Sequence, residues 1–183
     1  RKLGYSVNRT MSLAQGLYEN GLITYMRTDS VNLSEDALAA AQDSITAQYG
    51  SQYVQIRRYS TKAKGAQEAH EAIRPTNLNV TTAGLDPGQK KLYELIWKRT
   101  MASQMADAKL ERTTAQIDNT AGLRFVAKGE MIAFDGFLKV YREGVDEEEE
   151  DAGLLPTLAE GDAIQLLRAT AQQRFTRPPG RFT

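Results

Sequence analysis

The pattern of apolar residues changes near residue 109, and this change constrains the fold more than any other feature of the sequence. Up to that point Ala, Leu and Gln recur at helical spacing, whereas Thr, Val, Phe and Gly then follow in the alternating order of strands. The charge balance changes too: residues 1–109 carry 14 Lys and Arg against 10 Asp and Glu, and residues 110–183 carry 9 against 13. We therefore predict an α+β chain, with a helical domain over 1–109, a β-rich segment over 110–175 and the start of a neighbouring domain over 176–183.

Capping residues and apolar spacing predict the helices of the first part. The predicted helices are 6–20, capped by Ser6 or Asn8 and ended by Gly21; 35–48, capped by Ser34 and closed by Gly50; and 87–107, with Asp86 at the N-cap and Pro87 at the first helical position. About two further turns are predicted over 66–73, because Pro75 disfavours helical geometry at the residue before it. Residues 22–25 are short, β-branched and aromatic, which indicates an extended segment after the first helix.

Alternation and turn residues predict strands in the second part. The predicted strands span 112–118, 123–128, 137–141 and 163–169, with turns at 119–122, 135–136 and 160–162. Residues 146–151 are six consecutive acids, whose mutual repulsion indicates a solvated loop. Residues 57–65 are polar and basic without any period, which also indicates a loop.

The residues that the chain lacks exclude several functions. It has no Cys and a single His, His70, so disulfides, Cys-based zinc sites and His clusters are impossible. A Gly-rich phosphate loop, the dinucleotide pattern GxGxxG and acidic DxD pairs are absent from the sequence as well. No apolar run approaches the roughly 18–20 residues that span a bilayer, so no membrane partner is expected.

Tyr25 and Arg27 form the first candidate site. In an extended segment these two side chains point to the same face. A phenol is a weak nucleophile at neutral pH, but a neighbouring cation stabilises its phenolate and can also grip a phosphate oxygen. The pair thus has the parts needed to attack a phosphodiester. On spacing alone, the favoured interpretation is an ordinary half-buried tyrosine, one of eight in the chain, beside a surface arginine.

His70 and Arg74 form the second candidate site. On a helix they would share a face at i, i+4, beyond the basic loop of 57–65. A histidinium and an arginine near a helix end can hold a phosphate. The alternative is a histidine that is only hydrogen-bonded locally.

Two segments of the chain, taken together, carry a resemblance to a known family. Residues 21–30 read GLITYMRTDS, and residues 69–76 read AHEAIRPT. In that order, they closely resemble the active-site segments of type IA DNA topoisomerases. At position 26 the chain carries Met, which resembles the bacterial topoisomerase I branch of the family. The topoisomerase III branch tends to carry Pro at this position. Further similar stretches are LYELIW around Tyr93, FDGFLKVY at 134–141, the acidic run, and RFTRPP at 174–179.

The resemblance implies roles for individual residues. Tyr25 matches the nucleophile that attacks a phosphodiester of single-stranded DNA, which leaves a 5′-phosphotyrosyl enzyme and a free 3′-hydroxyl. Arg27 matches the arginine that positions the scissile phosphate and stabilises the charge developing on it. His70 matches a histidine that contacts DNA beside the active site. The supporting DNA-binding positions implied in the same segments are Thr28, Asp29, Glu71 and Arg74.

The resemblance also implies a setting for the chain. Residues 1–109 resemble the family's helical domain that bears the tyrosine, and the β-rich segment over 110–175 resembles part of its arch domain. The sequence begins without Met and is expected to be a piece of a longer, bacterial enzyme of the cytoplasm, at the nucleoid. That enzyme would relax negative supercoils without ATP, using Mg²⁺ held by acidic residues outside this chain. The expected partners are single-stranded DNA and the remaining domains. The isolated piece is expected to bind no Mg²⁺ and to be inactive.

Two other functions stay open at this point. A tyrosine recombinase also transfers strands through an Arg-His-Arg-Tyr set, but its tyrosine comes last and forms a 3′ link, whereas Tyr25 precedes His70 here. The second alternative is a non-catalytic helical module that binds DNA or protein. In such a module Tyr25 would carry no chemistry.

Overall fold

The computed structural model describes residues 2–59, 70–142 and 158–168, together with positions 170, 171, 173 and 175. Its elements in chain order are α1 (Val7–Glu19), α2 (Glu35–Tyr49), α3 (Pro87–Ser103), β1 (Lys109–Asp118) and β2 (Arg124–Phe134). Short 3₁₀ helices, Ser51–Tyr53 and Gly136–Lys139, follow α2 and β2. The predicted α+β class is confirmed, with the helices preceding the strands.

The serines predicted from the sequence cap the first two helices. Ser6 Oγ accepts a hydrogen bond from the amide of Arg9 at 3.3 Å, and Ser34 Oγ accepts one from the amide of Ala37 at 3.3 Å. Two acidic residues occupy the first turn of α2, where the positive end of the helix dipole favours them. After α1, Gly21 has a φ of +68°, a left-handed conformation that turns the chain away from the helix axis.

Helix α3 begins as predicted but ends at Ser103, before the predicted end near residue 107. Asp86 Oδ1 caps it by accepting from two amides of the first turn, at 2.7 and 3.0 Å. The helix ends early because the chain is drawn into long-range pairing. Met105 forms an antiparallel bridge with Val54, which ties the end of α3 to the chain leaving α2.

An apolar core lies between α1, α2 and α3. Leu17, Ile45 and Met101, one from each helix, are completely shielded from solvent. The larger aromatic residues of α3 bury their rings while keeping their polar atoms bonded: Tyr93 Oη donates to the Val80 carbonyl at 2.9 Å, and Trp97 Nε1 donates to the Leu78 carbonyl at 2.8 Å. The core therefore fixes α1 and the segment that follows it.

Strands β1 and β2 form an antiparallel hairpin around the turn predicted at 119–122. The strands have 10 and 11 residues, so they are longer than the predicted 112–118 and 123–128. Most of their side chains are exposed in the described part of the chain, Phe125 and Val126 at 56% each. Backbone pairing, rather than a buried face, holds this hairpin together.

The strand predicted at 137–141 is wrong, because most of it lies in the 3₁₀ helix Gly136–Lys139. Gly136 has a φ of +47°, which ends β2 and turns the chain, and the amide of Phe137 donates to the Ala106 carbonyl at 2.9 Å. The strand predicted at 163–169 is also absent over 163–168, where the chain pairs with no described strand; position 169 lies outside the described residues. The turn at 160–162 is confirmed.

The helix predicted at 66–73 is wrong over its described residues, 70–73. The backbone of this segment is hydrogen-bonded to residues outside it instead of closing helical turns. The amide of Ala72, for example, donates to the Asn32 carbonyl at 2.8 Å. Residues 66–69, part of the loop predicted at 57–65 and the acidic run at 146–151 lie outside the described residues.

We expect Leu17→Ala to lower the free energy of unfolding by about 2–5 kcal/mol, because it leaves a cavity in the core between the helices. Leu85→Ala removes the same atoms from a side chain that is 79% exposed, and it should change stability by less than about 0.5 kcal/mol. Urea denaturation of both variants checks this. Equal losses would show that Leu17 does not hold the helices together.

Candidate active site

The two candidate segments lie side by side in the structure. Ile23 and Pro75 form an antiparallel bridge, and both are almost completely buried. Two backbone hydrogen bonds flank it: the amide of Thr24 donates to the Arg74 carbonyl at 2.9 Å, and the amide of Thr76 donates to the Leu22 carbonyl at 3.0 Å. The extended segment predicted at 22–25 thus pairs with the chain that follows His70, which brings both motifs into one site.

The ring of Tyr25 contacts two other aromatic rings. Its centroid is 5.2 Å from that of Tyr18 with an interplanar angle of 66°, and 6.2 Å from that of His70 with an angle of 85°. The side chain is nevertheless 41% exposed. No described residue hydrogen-bonds to its hydroxyl. The two ring contacts hold the phenol, and the side chain is still partly accessible from solvent.

Arg27 follows Tyr25 on the exposed side of the same segment. Met26, which lies between them in the sequence, is only 8% exposed and packs into the core, so it anchors the segment to the core. No described carboxylate pairs with the Arg27 guanidinium. Tyr25 and Arg27 are both exposed and Met26 is buried, but the common face of Tyr25 and Arg27 remains a prediction.

The two other polar residues of the first motif differ in exposure. Thr28 is half-buried and its Oγ1 accepts from the amide of Ser30 at 3.1 Å, which closes a local turn. Asp29 is exposed. The DNA-binding roles of Thr28 and Asp29 remain predictions.

Glu71 and Arg74 form an ion pair instead of lining a helix face. Arg74 Nε donates to Glu71 Oε1 at 2.8 Å and Nη2 to Oε2 at 2.9 Å, and the two side chains are only 16% and 25% exposed. Arg74 Nη1 also donates to the Pro75 carbonyl at 2.9 Å, and the amide of Ser34 donates to Glu71 Oε1 at 2.8 Å. The predicted sharing of a helix face by His70 and Arg74 is wrong because this segment is extended.

The pKa of Glu71 is lowered by this arrangement. Burial on its own raises the pKa of the carboxyl, but hydrogen bonds from Arg74 and from Ser34, and the positive charge of Arg74, together outweigh burial. The carboxylate is therefore the stable form in the folded chain. It connects the start of α2 to the segment that carries His70.

An apolar cleft of about 530 Å³ lies next to the Tyr25 segment. Met26, Val31 and Ile73 line it on the side of the two motifs, and Leu92 and Ile96 of α3 line the opposite wall. The cleft is therefore lined both by the segment that carries Tyr25 and by α3.

Sequence reasoning missed two residues of this site. The helical spacing of apolar residues in α1 predicts a buried position for Tyr18, but Tyr18 is 42% exposed and contacts the Tyr25 ring. Helical spacing put it beside Leu17, and no local signal distinguishes a core tyrosine from one that packs on a neighbouring loop. Thr24 was not singled out, although its hydroxyl bonds across to Ala72 and Arg74. Only the tertiary pairing shows this.

Comparison with known proteins identifies the family. A family model described as DNA topoisomerase matches residues 1–183. The chain belongs to this family. It is 48% identical over its full length to DNA topoisomerase 1 of Zymomonas mobilis, 48% to that of Streptomyces coelicolor and 46% to that of Rickettsia prowazekii. The predicted membership of the bacterial topoisomerase I branch is confirmed.

A solved structure of this family shows the same fold. The full-length topoisomerase I from Thermotoga maritima matches with a TM-score of 0.67 and 40% identity, over 86% of this chain and 26% of that one. The chain spans 16%, 21% and 26% of the lengths of the three relatives named above. It therefore corresponds to one part of a DNA topoisomerase 1.

The described ranges contain neither a clustered set of metal ligands nor a membrane-spanning helix. Among those residues no group of three or more His, Cys, Asp or Glu side chains is arranged to hold a metal ion. The assignment of Mg²⁺ to acids outside the chain remains a prediction. In the same part of the chain no helix combines the length and apolar character that crossing a bilayer requires.

We expect the contribution of Glu71 to stability to depend on pH. Because its folded pKa lies below the reference value of 4.5, the carboxylate stabilises the fold above that pH and this stabilisation is lost as the pH falls through the folded pKa. Glu71→Gln should therefore be less stable than the wild type at neutral pH. The difference should shrink in acid, as measured by unfolding free energies across the pH range. A difference that stays constant would contradict this.

Proposed function

We propose that this chain carries the tyrosine side of a type IA topoisomerase active site, which cuts and rejoins one DNA strand. The observation that supports this most directly is the position of Tyr25. Its side chain is 41% exposed, its ring contacts those of Tyr18 and His70, and Arg27, two residues later, is exposed as well. Family membership supports the reaction, and the pairing of the two motifs supports the residues.

In the proposed reaction the number of phosphate ester bonds stays the same, because each step replaces one ester by another. Tyr25 gives up its phenolic proton, and Oη attacks the phosphorus of one strand. A bond forms between Oη and phosphorus, the bond from phosphorus to the 3′ oxygen breaks, and that oxygen takes up a proton. Religation is the reverse attack by the 3′-hydroxyl. Since each step exchanges one ester for another, no ATP is needed, and passage of a strand through the break relaxes negative supercoils.

The side chains around Tyr25 have distinct roles in this proposal. Arg27 binds the scissile phosphate and stabilises charge that develops on its oxygens. His70, in edge contact with the Tyr25 ring, contacts the DNA beside the break. Thr28 and Asp29 extend the DNA-binding surface. Mg²⁺ would belong to residues outside the chain, and since the described residues offer no ligand set for it, no step here runs through it.

Glu71 and Arg74 fit a different task within the same site. Their polar atoms are engaged with each other, with Ser34 and with Pro75, and both side chains are largely shielded from solvent. We propose that they support the DNA-binding surface by holding the His70 segment in place. Direct contact with DNA would require this ion pair to open.

The proposal includes a setting for the chain. We propose a helical domain over 1–109, a segment of the β-rich arch over 110–175 and the start of a neighbouring domain over 176–183. The partners are single-stranded DNA and the remaining domains of a bacterial enzyme working at the nucleoid. The exposed apolar residues of the hairpin are consistent with such neighbouring domains.

In the full-length protein, Tyr25→Phe should abolish the covalent protein–DNA complex, because it removes the attacking oxygen. Tyr18→Phe is the matched control, since its ring has the same exposure and contacts Tyr25, and it should retain activity within about tenfold. The measurement uses single-stranded oligonucleotides labelled at either end and resolved on denaturing gels.

The position of the label separates the possible functions. A 5′-phosphotyrosyl link leaves the 3′-end label on the protein and releases the 5′-end label. Retention of the 5′-end label would indicate recombinase-type chemistry. A Tyr25→Phe protein that still forms the complex would contradict the proposal, and a wild type that binds DNA without any covalent product would favour a non-catalytic module.

The isolated chain should leave a supercoiled plasmid unchanged in the presence of Mg²⁺. It spans no more than 26% of the relatives named above, and the proposed metal-binding acids lie elsewhere. Agarose gel electrophoresis of plasmid topoisomers checks this. Relaxation by the purified chain that is lost in Tyr25→Phe would show that these residues suffice.

A further inference from the structure

The hydroxyl of Thr24 links the two motif segments at the point where their backbone pairing stops. Thr24 Oγ1 donates to the Ala72 carbonyl at 2.7 Å and accepts from the amide of Arg74 at 2.9 Å. The backbone ladder itself ends with the bonds next to Ile23 and Pro75. The side chain therefore satisfies an amide and a carbonyl that the ladder no longer reaches.

This link lies immediately beside the reactive residues in sequence. Thr24 directly precedes Tyr25, and Ala72 is two residues after His70. The amide of Ala72 in turn donates to the Asn32 carbonyl at 2.8 Å. The segment after His70 is thus held from two sides, and Thr24 supplies one of these contacts from the position that precedes Tyr25.

We infer that Thr24 is a positioning residue for strand cleavage, which through its hydroxyl sets the His70 segment against Tyr25. The inference rests on the proposed function of Tyr25. Removing the hydroxyl leaves the Arg74 amide and the Ala72 carbonyl without their partner, so the two segments can separate. Displacements of an ångström near a reacting centre are enough to lower rates by large factors.

Thr76 provides a matched control on the same pair of segments. Its Oγ1 donates to the Gly21 carbonyl at 2.7 Å, at the end of the Ile23–Pro75 bridge opposite to the bonds of Thr24. Thr24→Val and Thr76→Val both replace a hydroxyl by a methyl between the same two strands. They differ in which end of the bridge they weaken.

The test measures the rate of covalent complex formation at saturating single-stranded oligonucleotide in the full-length protein, together with DNA affinity and melting temperature. Thr24→Val should lower the rate about tenfold or more with little change in affinity, since positioning acts on the reaction rather than on binding. Thr76→Val should stay within about twofold, and Thr24→Ser, which keeps the hydroxyl, within about threefold of the wild type.

Two results would overturn the inference. The first is that Thr24→Val forms the covalent complex at the same rate as Thr76→Val, and the second is that Thr24→Ser forms it as slowly as Thr24→Val. If the valine variant does not fold, Thr24→Ser decides alone, because a wild-type rate supports the inference and a rate about tenfold lower rejects it. Tyr25→Phe in the same assay tests the proposed function separately. If it abolishes the complex while Thr24→Val reacts normally, only the role of Thr24 is lost.

Discussion

The pairing of residues 21–24 with 72–76 is the contact on which the candidate site depends. Ile23 and Pro75 bury this contact, and short hydrogen bonds on both sides fix its register. Because the two segments are far apart in sequence, neither could orient the other without the helical core beneath them. The core places the end of α1, Gly21 turns the chain, and the bridge then brings His70 to Tyr25.

The polar contacts of the site divide into bonds that hold the fold and groups left for a ligand. Glu71 and Arg74 are shielded and mutually bonded, so their charges neutralise each other inside the protein. Arg27 is exposed, and no described carboxylate neutralises it. This division leaves an exposed positive charge two residues from Tyr25, and the proposed binding of an anionic phosphate by Arg27 draws on that charge.

The sequence predicted what depends on local chemistry. Ser6, Ser34 and Asp86 cap helices as expected because the side chain of an N-cap needs only the amides two or three residues ahead. The motif residues Tyr25, Arg27 and His70 were found because their types and order are distinctive. Their roles as site residues remain predictions, while the family that the motifs indicated is confirmed.

What the sequence could not predict depends on distant partners. Residues 70–73 have helical composition, yet their backbone bonds go to other segments, so tertiary pairing overrides propensity. The strand predicted at 137–141 fails because Gly136 turns the chain at the end of β2. Tyr18 and Thr24 were missed for the same reason, since each acts through a residue that only the folded chain brings near.

The burial of Ile23 and Met26 on either side of Tyr25 also has a mechanical meaning. A DNA end attached to Oη would pull on a short stretch of chain that is anchored in the protein interior at both ends. In the proposed reaction, tension along the broken strand would then reach the helical core through these two buried side chains instead of stretching a surface loop. The severed end would thereby keep its orientation for resealing.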